Sequence, residues 1–191
     1  MISVIIVTHN CERALLPTLA ALVPAAMEGL VSEVIVADGG SRDGTALVAD
    51  TAGCKLLKVD GPLGRRLKAA ARNARAPFLL FLRPGTILEA RWAGEARRFL
   101  EGRSGEPRAA AFARAANTQA PFREAMLLLV AALGARPRPQ QGLLVARRSY
   151  DALGGHSEVA ADPEAELIRR IGRRRLITLP AKAFAAAPLD P

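Results

Sequence analysis

The sequence predicts an α/β domain built on a mostly parallel sheet, and three features carry that expectation. Apolar runs recur without alternation at Ile2–Val7, which is rich in β-branched residues, at Glu33–Asp38 and at Phe78–Leu82, as strands buried on both faces require. Stretches with helical spacing of apolar residues separate them. Polar loops close the first two runs, THNC after one and GGSRDGT after the other. Such alternation implies right-handed crossovers with helices on both faces of the sheet.

Taken in order, Ile2–Val7 is the first strand, and Arg13–Glu28 has the spacing of one helix. Glu33–Asp38 is the second strand, and a helix is expected from about Asp43 to Ala52. Cys54–Val59 reads as a third strand. A Gly-Pro turn then opens a helix that ends near Pro77. Phe78–Leu82 is the fourth strand, closed abruptly by Arg83, Pro84 and Gly85. The second half is less regular. Helices are expected at Ala90–Gly102, Phe122–Gly134 and Asp162–Arg173, with a short one in SYDALGG. Strands are expected at Pro107–Ala116, Gly142–Arg148 and RLITLP, before a loose Ala- and Pro-rich tail. No internal repeat and no linker appear, so one domain is expected over 1–191.

Of the 191 residues, half are hydrophobic, enough for a sizeable core. Only two cysteines are present, Cys11 and Cys54, which argues against a disulfide framework and excludes a thiol-rich metal site. MISVIIVTHN lacks the basic flank and apolar length of a secretion signal. A cytoplasmic protein is therefore expected. AMLLLVAALGA, Ala125–Ala135, falls short of a membrane span of roughly 18 apolar residues. It reads first as a core helix, with peripheral contact at the inner membrane face as the other reading. The net charge of +9 suits anionic partners. Nucleic acid is set aside, because no aromatic-studded basic sheet or recognition helix accompanies the charge.

Two loops carry the candidate chemistry, since both follow parallel strands and lie at one sheet edge. The first offers Thr8, His9 and Asn10; the second offers Asp38, Gly39, Gly40, Ser41, Asp43 and Gly44. A carboxylate closing a strand can accept hydrogen bonds from a base or a ribose, and glycines admit a ligand close to the backbone. The other reading has Asp38 holding a turn and Asp43 capping a helix. Neither GxGxxG nor GxxxxGK[ST] occurs, so the usual dinucleotide and P-loop fingerprints are absent.

ISVIIVTHN, EVIVADGGSRDGT and FLLFLRPGT, in that order and spacing, resemble family 2 glycosyltransferases of the GT-A fold. QGLLVARRSYDALGGHSE and AELIRRIGRRRLITLP extend the resemblance over nearly the whole chain, toward a small bacterial branch. It implies a Rossmann-like, three-layer α/β/α sandwich with a mostly parallel sheet and an irregular carboxyl half. Residues 1–90 would be the nucleotide-binding half, 91–180 the acceptor-side half and 181–191 a tail. It implies a nucleotide-diphosphate sugar donor, an acceptor the sequence does not name, and inverting displacement. Thr8, Asn10, Asp38, Gly39 and Asp43 would line the nucleoside pocket. Arg65, Arg66 and Lys68 would meet the phosphates, or else form an ordinary solvated helix face.

The sequence departs from the family where the family is acidic. A divalent metal, Mn²⁺ or Mg²⁺, is usual there, held by an Asp-bearing motif at the end of the fourth strand. Here Arg83, Pro84 and Gly85 stand in that place, so the ligand motif is lost and no metal residue is assigned. Three readings follow: Arg83 supplies a fixed cation for the diphosphate, the site has decayed, or Arg83 points to solvent. An acid before the Gln-Gly pair is replaced by Gln140. The acidic pair before the late helix is reduced to Pro163-Glu164, which makes Glu164 and Asp162 the candidates for the base. The same residues also read as a helix start, with Asp162 as cap and Pro163 in the first turn. A catalytically inactive nucleotide-binding or scaffold protein on this fold is the alternative function.

Overall fold

The computed structural model describes residues 1–102, 109–115 and 139–185. The strands are β1 (Ile2–Thr8), β2 (Val31–Asp38), β3 (Lys55–Lys58), β4 (Phe78–Leu82), β5 (Thr86–Leu88), β6 (Ala109–Arg114), β7 (Leu143–Ala146) and β8 (Leu176–Ala185). They form one sheet in the order β3-β2-β1-β4-β7-β6-β8-β5. The β3-β2-β1-β4 portion is parallel. Antiparallel β7 joins it to β6, and β8 runs parallel to β6.

Helices cover both faces, as runs buried on both sides demand. On one face, Val4, Ile6, Val36, Leu80 and Leu82 pack under α1 (Glu12–Ala20), α2 (Val23–Met27), α3 (Thr45–Thr51) and α5 (Trp92–Glu101). On the other, Ile5, Ile35, Leu79 and Phe81 pack under α4 (Leu63–Asn73), α6 (Arg147–Ala152) and α7 (Pro163–Ile171). The strands' two-residue period thus divides one apolar run between two cores. Within the second layer, Arg147 donates to the carbonyls of Ala71, Ala74 and Ala76, placing a cation at the carboxyl end of α4.

Three expectations need correction. The single helix over Arg13–Glu28 is two helices, because Pro24 has no N–H and its ring would strike the Ala20 carbonyl in a continuous helix. Thr86–Leu88 is a strand the sequence did not announce; its three residues pair with Ala183–Ala185. The tail does not begin at Ala181, since β8 runs on to Ala185. Its register shifts between Phe112 and Ala113, so Pro180 sits in an irregularity where no ladder N–H is required. The freed Ala181 N–H donates to buried Glu95 at 2.6 Å. The expected helix Phe122–Gly134, the apolar run Ala125–Ala135 and the tail beyond Ala185 lie outside the described residues. Among the described residues no helix is long and apolar enough to cross a membrane.

Candidate functional site

The chain runs β1, β2, β3 to one side and then returns to place β4 on the other side of β1. That reversal makes a crevice at the carboxyl ends of β1 and β4, where parallel α/β sheets bind ligands. The expected site residues Thr8, Asn10, Asp38, Gly39 and Asp43 do gather on this edge. They are stitched to one another. The Gly39 N–H donates to the Thr8 carbonyl at 2.9 Å, and the Arg42 N–H donates to Asn10 Oδ1 at 2.8 Å. The Asn10 N–H donates to Ser41 Oγ at 2.8 Å. Asn10 takes φ 48°, a left-handed conformation that Asn tolerates better than most residues.

Asp38 is the hub. Its Oδ1 accepts from Thr8 Oγ1 at 2.8 Å and Ser41 Oγ at 2.5 Å; its Oδ2 accepts from the N–H groups of Gly40 at 3.0 Å and Ser41 at 2.8 Å. Burial opposes its ionisation, but the hydrogen bonds from Ser41, Thr8 and Gly40 prevail and hold the carboxyl below its ordinary range. Asp43 closes the loop onto α3, accepting from Thr45 Oγ1 at 2.5 Å and from the Glu12 N–H at 3.1 Å. The Thr45 hydroxyl leads the causes that lower its pKa. Ser41 and Glu12 complete this network, and Glu12 Oε2 accepts from the Gly44 N–H at 3.0 Å. Glu12 had no local signal, because its partner lies in another loop.

The basic residues of α4 separate into three environments. Arg65 is exposed beside Gly61. Arg66 lies over Gly39 and donates to the Thr8 carbonyl at 3.1 Å, with its Nε buried and unpartnered among the described residues. Lys68 pairs with Glu158 at 3.6 Å. Gly64 explains why the loop carrying Glu158 sits so near, since any Cβ there would run into the Ser157 carbonyl.

Arg83 closes β4 and turns toward α7. Its Nε donates to Glu164 Oε2 at 2.6 Å, and its Nη2 reaches the same oxygen. The Glu164 side chain is 9% exposed and that of Arg83 is 35% exposed. Burial pushes the Glu164 carboxyl above its ordinary value of 4.5, and Arg83 draws it part of the way back. Asp162 is the helix cap, its Oδ1 accepting from the Ala165 N–H at 3.0 Å, with Pro163 in the first turn. The two carboxylates considered for the base therefore differ: Asp162 is committed to the backbone, while Glu164 faces the end of β4.

A Mn²⁺ or Mg²⁺ ion at this point would need several oxygen ligands. The strand end supplies a guanidinium instead, and the carboxylate that reaches it is already paired. Among the described residues no group of three or more His, Cys, Asp or Glu is placed to hold a metal. The residues around Arg83 do not fit a hard divalent cation.

The second core layer holds a group the sequence did not single out. His156 is buried, its ring edge against Phe81 with centroids 4.7 Å apart. The Tyr150 hydroxyl lies 3.0 Å from His156 Nδ1 and accepts from the His156 N–H at 3.2 Å. Nε2 has no partner among the described residues. Desolvation, with Arg170 nearby, pushes the ring down to about 3, so it is neutral. A His after a Gly pair carries no periodic signal, and only its packing against Phe81 identifies its place.

The family model described as glycosyl transferase family 2 matches residues 3–82. No curated protein matches the chain in sequence. Solved structures do match in shape. A crystal structure of glucosyl-3-phosphoglycerate synthase from Mycobacterium tuberculosis, in complex with Mn²⁺, uridine diphosphate and phosphoglyceric acid, is 18% identical with a TM-score of 0.71. The match covers 100% of this chain and 72% of that one. The same synthase with Mn²⁺ and uridine-diphosphate-glucose has a TM-score of 0.68 at 18% identity, covering 100% of this chain and 72% of that one. TarS of S. aureus, residues 1–349, is 18% identical with a TM-score of 0.70, covering 98% of this chain and 60% of that one.

Proposed function

On a chain that carries family 2 glycosyltransferase sequence over residues 3–82 and the GT-A fold, we propose a transferase using a nucleotide-diphosphate sugar without a metal. The observation that carries this reading is the Arg83–Glu164 pair at the crevice beside β1. Transfer from a sugar diphosphate needs a cation at the leaving group and a base at the acceptor hydroxyl. Arg83 offers the first, because guanidinium matches phosphate oxygens in charge and geometry. Glu164 offers the second. Thr8, Asn10, Asp38, Gly39 and Asp43 form the nucleoside end, with Arg65, Arg66 and Lys68 flanking it from α4.

The synthase structures bind uridine diphosphate and its glucose ester, so those compounds are the first probes. Calorimetric titration with UDP, GDP and their sugars, in EDTA and then in Mn²⁺, tests the reading. Binding that is the same in both supports it, and binding that requires Mn²⁺ overturns the metal-free part. A second reading, nucleotide binding without turnover, is favoured by one observation: Glu164, the carboxylate offered as base, is already covered and paired with Arg83. Hydrolysis of UDP-glucose separates the two, since water can stand in for the acceptor.

A further inference from the structure

We infer that Arg83 joins the base to the leaving group, one edge of its guanidinium holding Glu164 while the other receives the donor's diphosphate. The inference rests on the nucleotide-sugar reading above. Its basis is how the ion pair is made. Nε and Nη2 form one edge of the guanidinium, and both point to a single oxygen, Glu164 Oε2. Arg83 meets the described residues through Nε and Nη2 alone, which leaves Nη1 and the Nη1–Nη2 edge unspent. A guanidinium is a planar fork with five N–H donors, so it can serve two anions on two edges at once. A lysine ammonium is a point charge and has no such edges.

Exposure agrees with this division. The Glu164 end of the pair is covered, while about a third of Arg83 remains open at the end of β4. Glu164 Oε1 takes no hydrogen bond from the described residues, so it is the oxygen left to meet an acceptor hydroxyl. The position of Glu164 is set by its place in the first turn of α7, where Asp162 caps the helix. Arg83 and Asp162 are the charged groups that act on it.

The arrangement balances the reaction's charge around one fixed cation. The acceptor O–H bond breaks, and its proton passes to Glu164 Oε1. The acceptor oxygen forms its bond to the anomeric carbon with the pair left behind. The bond from that carbon to the diphosphate oxygen breaks, and its pair leaves with the phosphate. One negative charge disappears from Glu164 as one appears on the diphosphate. Both carboxylate and phosphate lie on Arg83, so the cation loses no counter-charge and need not move. Preorganised charge of this kind is what lowers a barrier without reorganisation.

A linkage measurement tests this without knowing the acceptor. Phosphate on the far edge shares the guanidinium's charge, so Glu164 should hold its proton more tightly when a diphosphate is bound. UDP and GDP are titrated calorimetrically in two buffers of different ionisation enthalpy, between about pH 5 and 8. Proton uptake with the tighter-binding diphosphate, absent with its nucleoside and absent in Glu164→Gln, is the expected result. Arg83→Ala should weaken the diphosphate about 10- to 100-fold and leave the nucleoside unchanged, as loss of a charge-assisted contact predicts. Diphosphate binding without proton uptake, or uptake that persists in Glu164→Gln, overturns the joint role of Arg83 alone. Failure of both diphosphates to bind overturns this inference together with the donor reading.

Discussion

Arg83, at the end of β4, and Glu164, in the first turn of α7, meet with Nε 2.6 Å from Oε2 although 81 residues separate them in sequence. Loss of either partner has unequal consequences. Arg83→Ala leaves a covered carboxylate without its cation, whereas Glu164→Gln leaves a partly exposed guanidinium. A double-mutant cycle in urea should give a coupling of about 1–3 kcal/mol, with Arg83→Ala the worse single change. Coupling below about 0.3 kcal/mol would reduce the pair to an ordinary surface contact.

The same pair sets a pH dependence. The folded-state pKa of Glu164 lies above its ordinary 4.5, so the native protein binds more protons than the unfolded chain in the window above that value. Stability therefore falls as pH rises through the window. Arg83→Ala removes the influence that lowers the pKa, so the window widens and the fall steepens. Denaturation midpoints at a series of pH values between about 4 and 8 read this directly.

Asp38 has the opposite sign. Its folded pKa lies below the ordinary 3.8, so its contribution is present above that value and lost as pH falls through the folded pKa. Asp38→Asn keeps the shape but turns an amide N–H toward donors. We expect a loss of about 2–4 kcal/mol at neutral pH, measured by urea unfolding, and a smaller loss near pH 3. An equal loss at both pH values would show that the carboxylate charge is irrelevant to the loop.

Neutral His156 predicts acid sensitivity at higher pH than the carboxylates do. Its pKa is pushed down to about 3 from an ordinary 6.5, so between those values the unfolded chain takes up a proton that the native state refuses. Stability should fall by up to about 1.4 kcal/mol for each pH unit below 6.5. In His156→Phe the slope between about pH 6.5 and 4.5 should lessen. An unchanged slope would assign the acid sensitivity to other groups.

Two glycines in helices should respond oppositely to alanine. Gly64 in α4 has the Ser157 carbonyl where a Cβ would go, while Gly94 in α5 has nothing within 4 Å. Gly94→Ala should stabilise by about 0.5–1 kcal/mol through helix propensity. Gly64→Ala should destabilise by about 1–3 kcal/mol despite the same propensity gain, because the loop bearing Glu158 must move. Thermal unfolding of the two variants compares them, and stabilisation by both would mean that the loop yields freely.

Local patterns made much of this molecule readable. The apolar runs that became β1, β2 and β4 needed no knowledge of their neighbours, since burial on both faces leaves no room for alternation. The loops after β1 and β2 were also legible, as Gly, Asn and Asp cluster where a chain must turn. Asp162 and Pro163 announced the start of α7 for the same local reason. By contrast, β5 is three residues long, and its pairing depends on Ala183–Ala185 almost a hundred positions later. The onward run of β8 past Pro180 depends on Glu95 receiving the Ala181 N–H.

The sequence by itself determined the layered α/β architecture, the sheet edge that carries the two polar loops, and the close of β4 by Arg83, Pro84 and Gly85. It left open whether Arg83 faced a ligand, a decayed site or solvent, and whether Glu164 was a base or only a helix-start acid. Tertiary structure decided that the two side chains meet, and that Asp38 is held by Thr8, Gly40 and Ser41. Periodicity and turn chemistry act between neighbours in the chain, so they are written locally. The charge that Glu164 feels depends on what folding brings within a few ångströms of it, and Coulomb interactions take no account of sequence distance.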